Sequence, residues 1–253
     1  MRIWAIADLH LSFGTPNKSM DPFGPGWYRH TERLEAHWRE RVSAEDLVLI
    51  PGDISWALKF EQALVDLEWI HALPGTKILL RGNHDYWWGS RKRMRDQLPH
   101  SMLSIQNDAL LWNGIAIGGS RMWDIPSLNF EPFLDEVEDP DVTPSTQRAL
   151  SAEENKHIFE RELNRLKMSL EQLDPRAELR IAMVHYPPIG PELEPTPVTE
   201  ILEAYSIDIC VFGHIHSAIP GTMPYGTVRG IRYCFVPCDY LDCTPLCLLE
   251  LGS

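Results

Sequence analysis

No apolar run in this chain reaches the roughly 20 residues that cross a bilayer as a helix, so no membrane span is expected. Cysteine is scarce, with five in 253 residues, at positions 210, 234, 238, 243 and 247. An odd number confined to the last quarter does not make a disulfide framework. The pairs Cys234/Cys238 and Cys243/Cys247 fall in strand-like sequence and space badly as chelating knuckles, so core thiols are expected and zinc there is not. Positive charge is also short: 23 Lys and Arg stand against 36 Asp and Glu, a net charge of −13. That balance disfavours nonspecific binding to DNA, RNA or anionic membrane. It leaves room for a phosphorylated small molecule where cations sit in the site. The one basic cluster, Arg91, Lys92, Arg93 and Arg95, reads as a solvated helix face. No repeat, low-complexity stretch or linker divides the chain. A single domain over 1–253 is expected, with a loop-plus-helix insertion at about 124–175, and no oligomeric state is assigned. The opening Met-Arg-Ile-Trp-Ala-Ile-Ala-Asp turns acidic too soon for a signal peptide, which points to the cytoplasm.

What is present is a series of short apolar runs that stop at polar turns. Arg2 to Ala7 reads as a strand ending at Asp8-Leu9-His10. Asp46 to Ile50 is a second, ending at Pro51-Gly52-Asp53. Ile78 to Leu80 is a third, ending at Arg81-Gly82-Asn83-His84-Asp85. Ile115 to Gly118, Leu179 to Val184 and Ile207 to Phe212 follow, the last two ending at His185 and at Gly213-His214-Ile215-His216. Helical spacing separates several of them: Leu34, Trp38 and Val42; Leu64, Leu67 and Ile70; residues 89–98; and the stripe Phe159, Leu163, Leu166, Leu170 and Leu173 behind a Ser151-x-x-Glu154 capping box. That stripe reads as core or as a cap over the site rather than a dimer face. Leu11 to Arg29 and the acidic Pro126 to Pro144 (Glu131, Asp135, Glu136, Glu138, Asp139, Asp141) read as loops. The tail from Thr227 to Leu251 suggests two or three antiparallel strands. Asp53 and Asn83 are one βαβ unit apart, so successive polar turns should share the carboxyl edge of a parallel sheet, where open α/β folds place their sites.

Five of those strand ends carry metal-ligand side chains. In Asp8-Leu9-His10 and His214-Ile215-His216, the alternation of an extended chain would send both polar groups to one side. Imidazole with carboxylate and no thiolate suits manganese, iron or zinc better than calcium. The donor count exceeds one tetrahedral ion and suits two ions bridged by a carboxylate, a recurring device for phosphoryl transfer.

The ordered set Asp8-x-His10, Gly52-Asp53, Gly82-Asn83-His84-Asp85, His185 and Gly213-His214-x-His216 resembles the calcineurin-like metallophosphoesterase superfamily, and among its members the bacterial predicted phosphohydrolases. The motifs run from residue 8 to 216. The resemblance implies an α/β fold: a four-layer β-sandwich flanked by helices, with the site at the strand C-terminal ends. It implies two divalent metal ions, manganese first, with iron or zinc as alternatives. Asp8, His10 and His216 would hold one, Asn83, His185 and His214 the other, and Asp53 would bridge them. His84 would be general acid with Asp85 holding its ring, and Arg81 matches an arginine that touches phosphate in the phosphoprotein phosphatases. Gly52-Asp53-Ile54-Ser55 lacks the Asp-Arg-Gly continuation of those phosphatases. The implied activity is therefore hydrolysis of a small-molecule or nucleotide phosphate mono- or diester by metal-bound hydroxide. The competing reading is a non-catalytic metal-binding scaffold of the same fold for protein interaction.

The remaining aromatics and histidines divide less sharply. Trp27, Tyr28, Trp56, Tyr86, Trp87, Trp88 and Trp123 fall in or after the site loops. Most are read as packing, with Tyr86 or Trp123 favoured for contact with a flat substrate group. His30, His37, His71, His100 and His157 are read as surface residues.

Overall fold

The computed structural model describes residues 1–135 and 150–252. Two sheets form from the expected apolar runs. In the first, β1 (Arg2–Ala5), β2 (Leu47–Pro51), β3 (Thr76–Leu80) and β4 (Met102–Ile105) lie parallel. Strand β5 (Ala109–Trp112) leads antiparallel into β6 (Ile115–Ser120) of the second sheet, which continues parallel through β7 (Leu179–Val184) and β8 (Ile209–Phe212). The chain then makes β9 (Thr227–Val228), β10 (Ile231–Phe235) and β11 (Leu246–Glu250). The strand orders are β11-β1-β2-β3-β4 and β5-β6-β7-β8-β10-β9.

The period-2 alternation of each strand splits its side chains between two cores. Ile3, Ala5, Leu49 and Ile78 face Ile117, Ile181, Met183 and Val211 between the sheets. The other faces carry helices. Val48, Ile50 and Leu79 pack with α1 (His30–Arg41) through Leu34 and Trp38, and with α2 (Phe60–His71) through Ala63, Leu67 and Ile70. Ala116, Ala182, Val184 and Phe212 pack with α4 (Ala152–Leu170) through Leu166 and Leu170, and with α5 (Pro197–Ala204) through Val198 and Leu202. A short α3 (Arg91–Gln97) follows the β3 turn and exposes its cationic face. The four layers are those expected. The capping box at Ser151 and Glu154 opens α4 in the anticipated place. Glu136, Glu138, Asp139 and Asp141 of the expected acidic loop lie outside the described residues.

Several expectations need correction. The tail is not an antiparallel unit of its own. Strand β10 lies parallel to β8, and β11 joins β1 in the opposite sheet, antiparallel to it. Strands β4 and β5 and helix α5 carry too few residues for a clear period and were not anticipated. His30 is buried, with its Nε2 3.1 Å from the Leu9 carbonyl. The cysteines fit the core reading: Cys210, Cys234, Cys238 and Cys243 are buried free thiols.

Candidate metal centre

The polar turns converge because both sheets are parallel at their centres and so present their carboxyl ends together. The backbone ladder runs past β1 and β2: the amides of Asp8, His10 and Leu11 donate to the carbonyls of Gly52, Asp53 and Ile54, each at 3.0 Å. Side-chain direction comes from strain rather than alternation. Asp8, His10, Asp53 and His214 have φ of 57°, 43°, 51° and 76°. The two Asp/His-x-His pairs are therefore not aimed by extended alternation. Left-handed backbone aims these groups, at on the order of 1 kcal/mol or more each. Two glycines permit the crowding. A Cβ on Gly82 would overlap Asp53, and one on Gly213 would overlap the Asp8 carboxylate.

Two clusters result. The ligand atoms of Asp8, His10 and His216 lie within 4.8 Å of one another, as do those of Asp53, His185 and His214. Asp53 stands between them: its Oδ2 is 3.8 Å from His10 Nε2 and 3.4 Å from His185 Nε2. Asn83 joins the second cluster, its Oδ1 2.7 Å from His185 Nε2. Every metal-ligand residue expected from the sequence is thus drawn into one place.

The donor atoms fit divalent cations. Asp53 Oδ2 is buried with no hydrogen-bond partner among the described residues, and so is His10 Nδ1. A buried carboxylate oxygen without a hydrogen bond is costly unless a cation meets it, and the rings of His185, His10 and His84 approach this one at 3.4, 3.8 and 4.0 Å. His185 is turned inward because its Nδ1 donates to the Pro51 carbonyl at 3.0 Å. Its Nε2 then faces two oxygens, Asn83 Oδ1 and Asp53 Oδ2, a donor set that a proton or a metal ion can complete. His216 is oriented in the same way, with Nδ1 3.3 Å from Asp239 Oδ1.

The charges are strongly coupled. Burial raises the Asp8 carboxyl to about 7. Burial acts the same way on Asp53, but His185, His10 and His84 outweigh it and hold Asp53 well below the usual carboxylate range. Burial opposes protonation of His185 and His216, yet Asp53 and Asp239 respectively win and lift each to about 9. Burial pushes His214 down to about 4, and His10 well below its ordinary value.

His84 lies at the rim, its side chain 34% exposed and its Nε2 4.0 Å from Asp53 Oδ2. Burial lowers its pKa, against the pull of Asp53. Asp85 does not hold that ring. Its Oδ1 accepts from Ile54 N, Ser55 N and Trp87 Nε1 at 2.9, 3.2 and 3.0 Å, and its Oδ2 from Gly82 N at 2.8 Å. These four donors fill the carboxylate, so Asp85 braces the β2 turn against the β3 turn. Arg81, two residues before Asn83, lines a cavity with Arg121, Glu162 and Arg165 that includes none of the cluster residues.

Two carboxylates were not anticipated. Asp239 follows β10 and fixes both His216 and the Ser217 amide, the latter at 2.9 Å. The sequence carries a signal for it, the apolar run Phe235-Val236 followed by Pro237-Cys238-Asp239, which the antiparallel pattern expected of the tail does not single out. Asp124 lies 3.7 Å from His214 Nε2. Of the aromatics, Trp56 stacks on His10 at 4.9 Å and meets His84 at 4.4 Å, while Trp27 stands edge-on to His10 and His216. Tyr86 is exposed, and Trp123 packs on Tyr186.

The sequence pattern of the calcineurin-like phosphoesterases matches residues 1–218, which include every candidate ligand position above. The chain belongs to that family. The gene 66 protein of Mycobacterium phage D29 is 39% identical over 83 residues, 33% of this chain and 40% of the phage protein. The chain therefore spans well under half of that relative. Phosphopantetheinyl hydrolase (PptH) of Mycobacterium tuberculosis superposes with a TM-score of 0.50 at 16% identity, covering 93% of this chain and 88% of that one. A protein of unknown function from Aquifex aeolicus gives 0.48 at 17% identity, covering 97% and 95%. The likeness to PptH is one of fold.

Proposed function

We propose that this chain is a dinuclear metal-dependent phosphoesterase that hydrolyses a phosphate mono- or diester of a small molecule or nucleotide. The observation that carries this reading is the buried Asp53 Oδ2, which makes no hydrogen bond among the described residues and is set between two His/Asp clusters. Asp8, His10 and His216 would hold one cation and Asn83, His185 and His214 the other, with Asp53 reaching both. The donors suit manganese, with iron or zinc as alternatives. Two such cations, when bound, would lower the pKa of water and offset charge on phosphoryl oxygens.

The chain's own residues supply the rest. His84 is the imidazole of the site outside both clusters, and it is partly exposed. When that ring is protonated, a form its lowered pKa favours on the acid side of neutrality, it can give its proton to the leaving oxygen. Trp56 meets the ring at a tilt, with centroids 4.4 Å apart. Beside it a cavity of about 320 Å³ is walled by Met20, Phe23, Trp27 and Trp56. That wall favours a leaving group with an apolar or flat body.

The test is hydrolysis of p-nitrophenyl phosphate and bis(p-nitrophenyl) phosphate by protein stripped with chelator and reloaded with manganese, iron(II) or zinc. Turnover should return with two equivalents of metal. His84→Ala should keep both equivalents, lose on the order of 10²–10⁴-fold toward an alkyl phosphate, and lose far less toward p-nitrophenolate esters. Two equivalents bound with no turnover on any ester would sink the reading and favour a scaffold.

A further inference from the structure

Arg81 is half-buried, yet its guanidinium has no hydrogen bond or ion pair among the described residues, and its Nε is wholly enclosed. A partly desolvated cation whose nearest carboxylates, Asp85 and Glu162, act on it only at a distance is a costly arrangement in a fold. Around it are two more arginines, Arg121 after β6 and Arg165 on α4, lining the same cavity. One acid faces the three. Glu162 is buried, and its Oε1 is already shared by Arg165 Nη1 at 2.7 Å, Arg161 at 3.3 Å and Arg121 at 3.5 Å, while Oε2 takes the Ser120 hydroxyl at 3.2 Å. Glu162 is thus engaged without reaching Arg81, and the cavity keeps an excess of positive charge in a chain whose net charge is −13.

The space has a volume of about 90 Å³. That is room enough for one tetrahedral anion. Guanidinium forks match phosphate oxygens better than any other side chain does. The cavity shares no lining residue with the one beside His84. It is nevertheless next to the second cluster: the Arg121 carbonyl accepts from the amides of His185 and Tyr186 at 3.2 and 3.1 Å, and Arg81 is two residues before Asn83.

We propose that Arg81, Arg121 and Arg165 form a phosphate-binding pocket distinct from the paired metal clusters, filled either by a second phosphate group of the substrate or by free inorganic phosphate. Phosphate binding itself does not rest on the phosphoesterase reading; only the substrate branch does.

Metal-stripped protein, in a buffer free of phosphate and sulfate, is titrated with inorganic phosphate by calorimetry. Wild type should bind one equivalent, and Arg81→Gln and Arg165→Gln should each weaken binding at least tenfold. Without phosphate, Arg81→Gln should be as stable as wild type or more so, whereas an arginine serving only to tie elements together would lower Tm when removed. No binding to metal-free wild type, equal binding by the variants, or a lower Tm for Arg81→Gln in phosphate-free buffer overturns the pocket. The sources are separated with metal-loaded enzyme. A second phosphate of the substrate is the occupant if Arg165→Gln raises KM at least tenfold for a nucleoside 3′,5′-bisphosphate and leaves KM for p-nitrophenyl phosphate unchanged. Free phosphate is the occupant if both KM values stay unchanged while phosphate binding is lost. Absence of turnover on every ester would refute the phosphoesterase reading and leave the calorimetric result standing.

Discussion

Asp85→Asn separates two readings of the turn after β3. The motif resemblance makes Asp85 the partner of His84; the structure makes it a brace that takes four hydrogen bonds while fully buried. Asparagine keeps the shape but has one acceptor oxygen. If its oxygen takes the Oδ1 position it retains the three bonds from Ile54, Ser55 and Trp87. Its amide nitrogen then faces the Gly82 N–H, donor against donor. One charge-assisted bond is lost and a buried donor is left unmet, about 3 kcal/mol together. For a chain of this size that lowers Tm by roughly 6–12 °C. Because the Gly82 turn carries Asn83 and the Ile54 turn carries Asp53, metal should be retained less tightly. Activity toward p-nitrophenyl and alkyl phosphates should then fall in parallel. The assay is thermal unfolding with metal analysis and both substrates. An unchanged Tm with activity lost only on the alkyl ester would refute the brace and restore Asp85 as the partner of the acid.

Two further outcomes follow from other buried polar groups. Asp239→Ala removes the acceptor that orients His216 and should weaken one of the two metal equivalents by about 10–100-fold while sparing the other; equal weakening of both, by metal titration, would refute the assignment. Lys77 is fully buried, its Nζ donating to the Leu73 carbonyl, and burial lowers its pKa from 10.5 to about 8. Its folded pKa is below its unfolded one, so its charge destabilises the fold fully below pH 8 and progressively less as pH rises toward 10.5. The span corresponds to roughly 3 kcal/mol. Lys77→Met should therefore be more stable than wild type at pH 7, with the gap narrowing by pH 9.5 in urea unfolding; a gap independent of pH would contradict the cause.

The residues that mark this protein are legible along the chain because each sits where a local rule operates. An apolar run of strand length stops, and the next polar side chain is left at the edge of a sheet. Asp8, Asp53, Asn83, His185, His214 and His216 all follow that rule, and the four-layer fold follows from the same alternation of strands and helices. Local pattern also misled where it stood in for geometry. Four candidate ligand residues are aimed by left-handed backbone, not by extended alternation, and Asp85 turned from its neighbour His84 toward amides some 30 positions earlier.

What only the tertiary structure decided are the contacts between segments far apart in sequence. Strand β10 lies parallel to β8, which carries Asp239 to His216. Arg81 meets Arg121 and Arg165 across two sheets and a helix. No period in the sequence encodes these meetings. They depend on which strands pair and which helix covers the edge, and those choices are settled by burial summed over the whole molecule. The sequence by itself determined which groups could bind metal. The fold decided which side chains orient them, and set one arginine of the motif on a cavity it shares with Arg121 and Arg165.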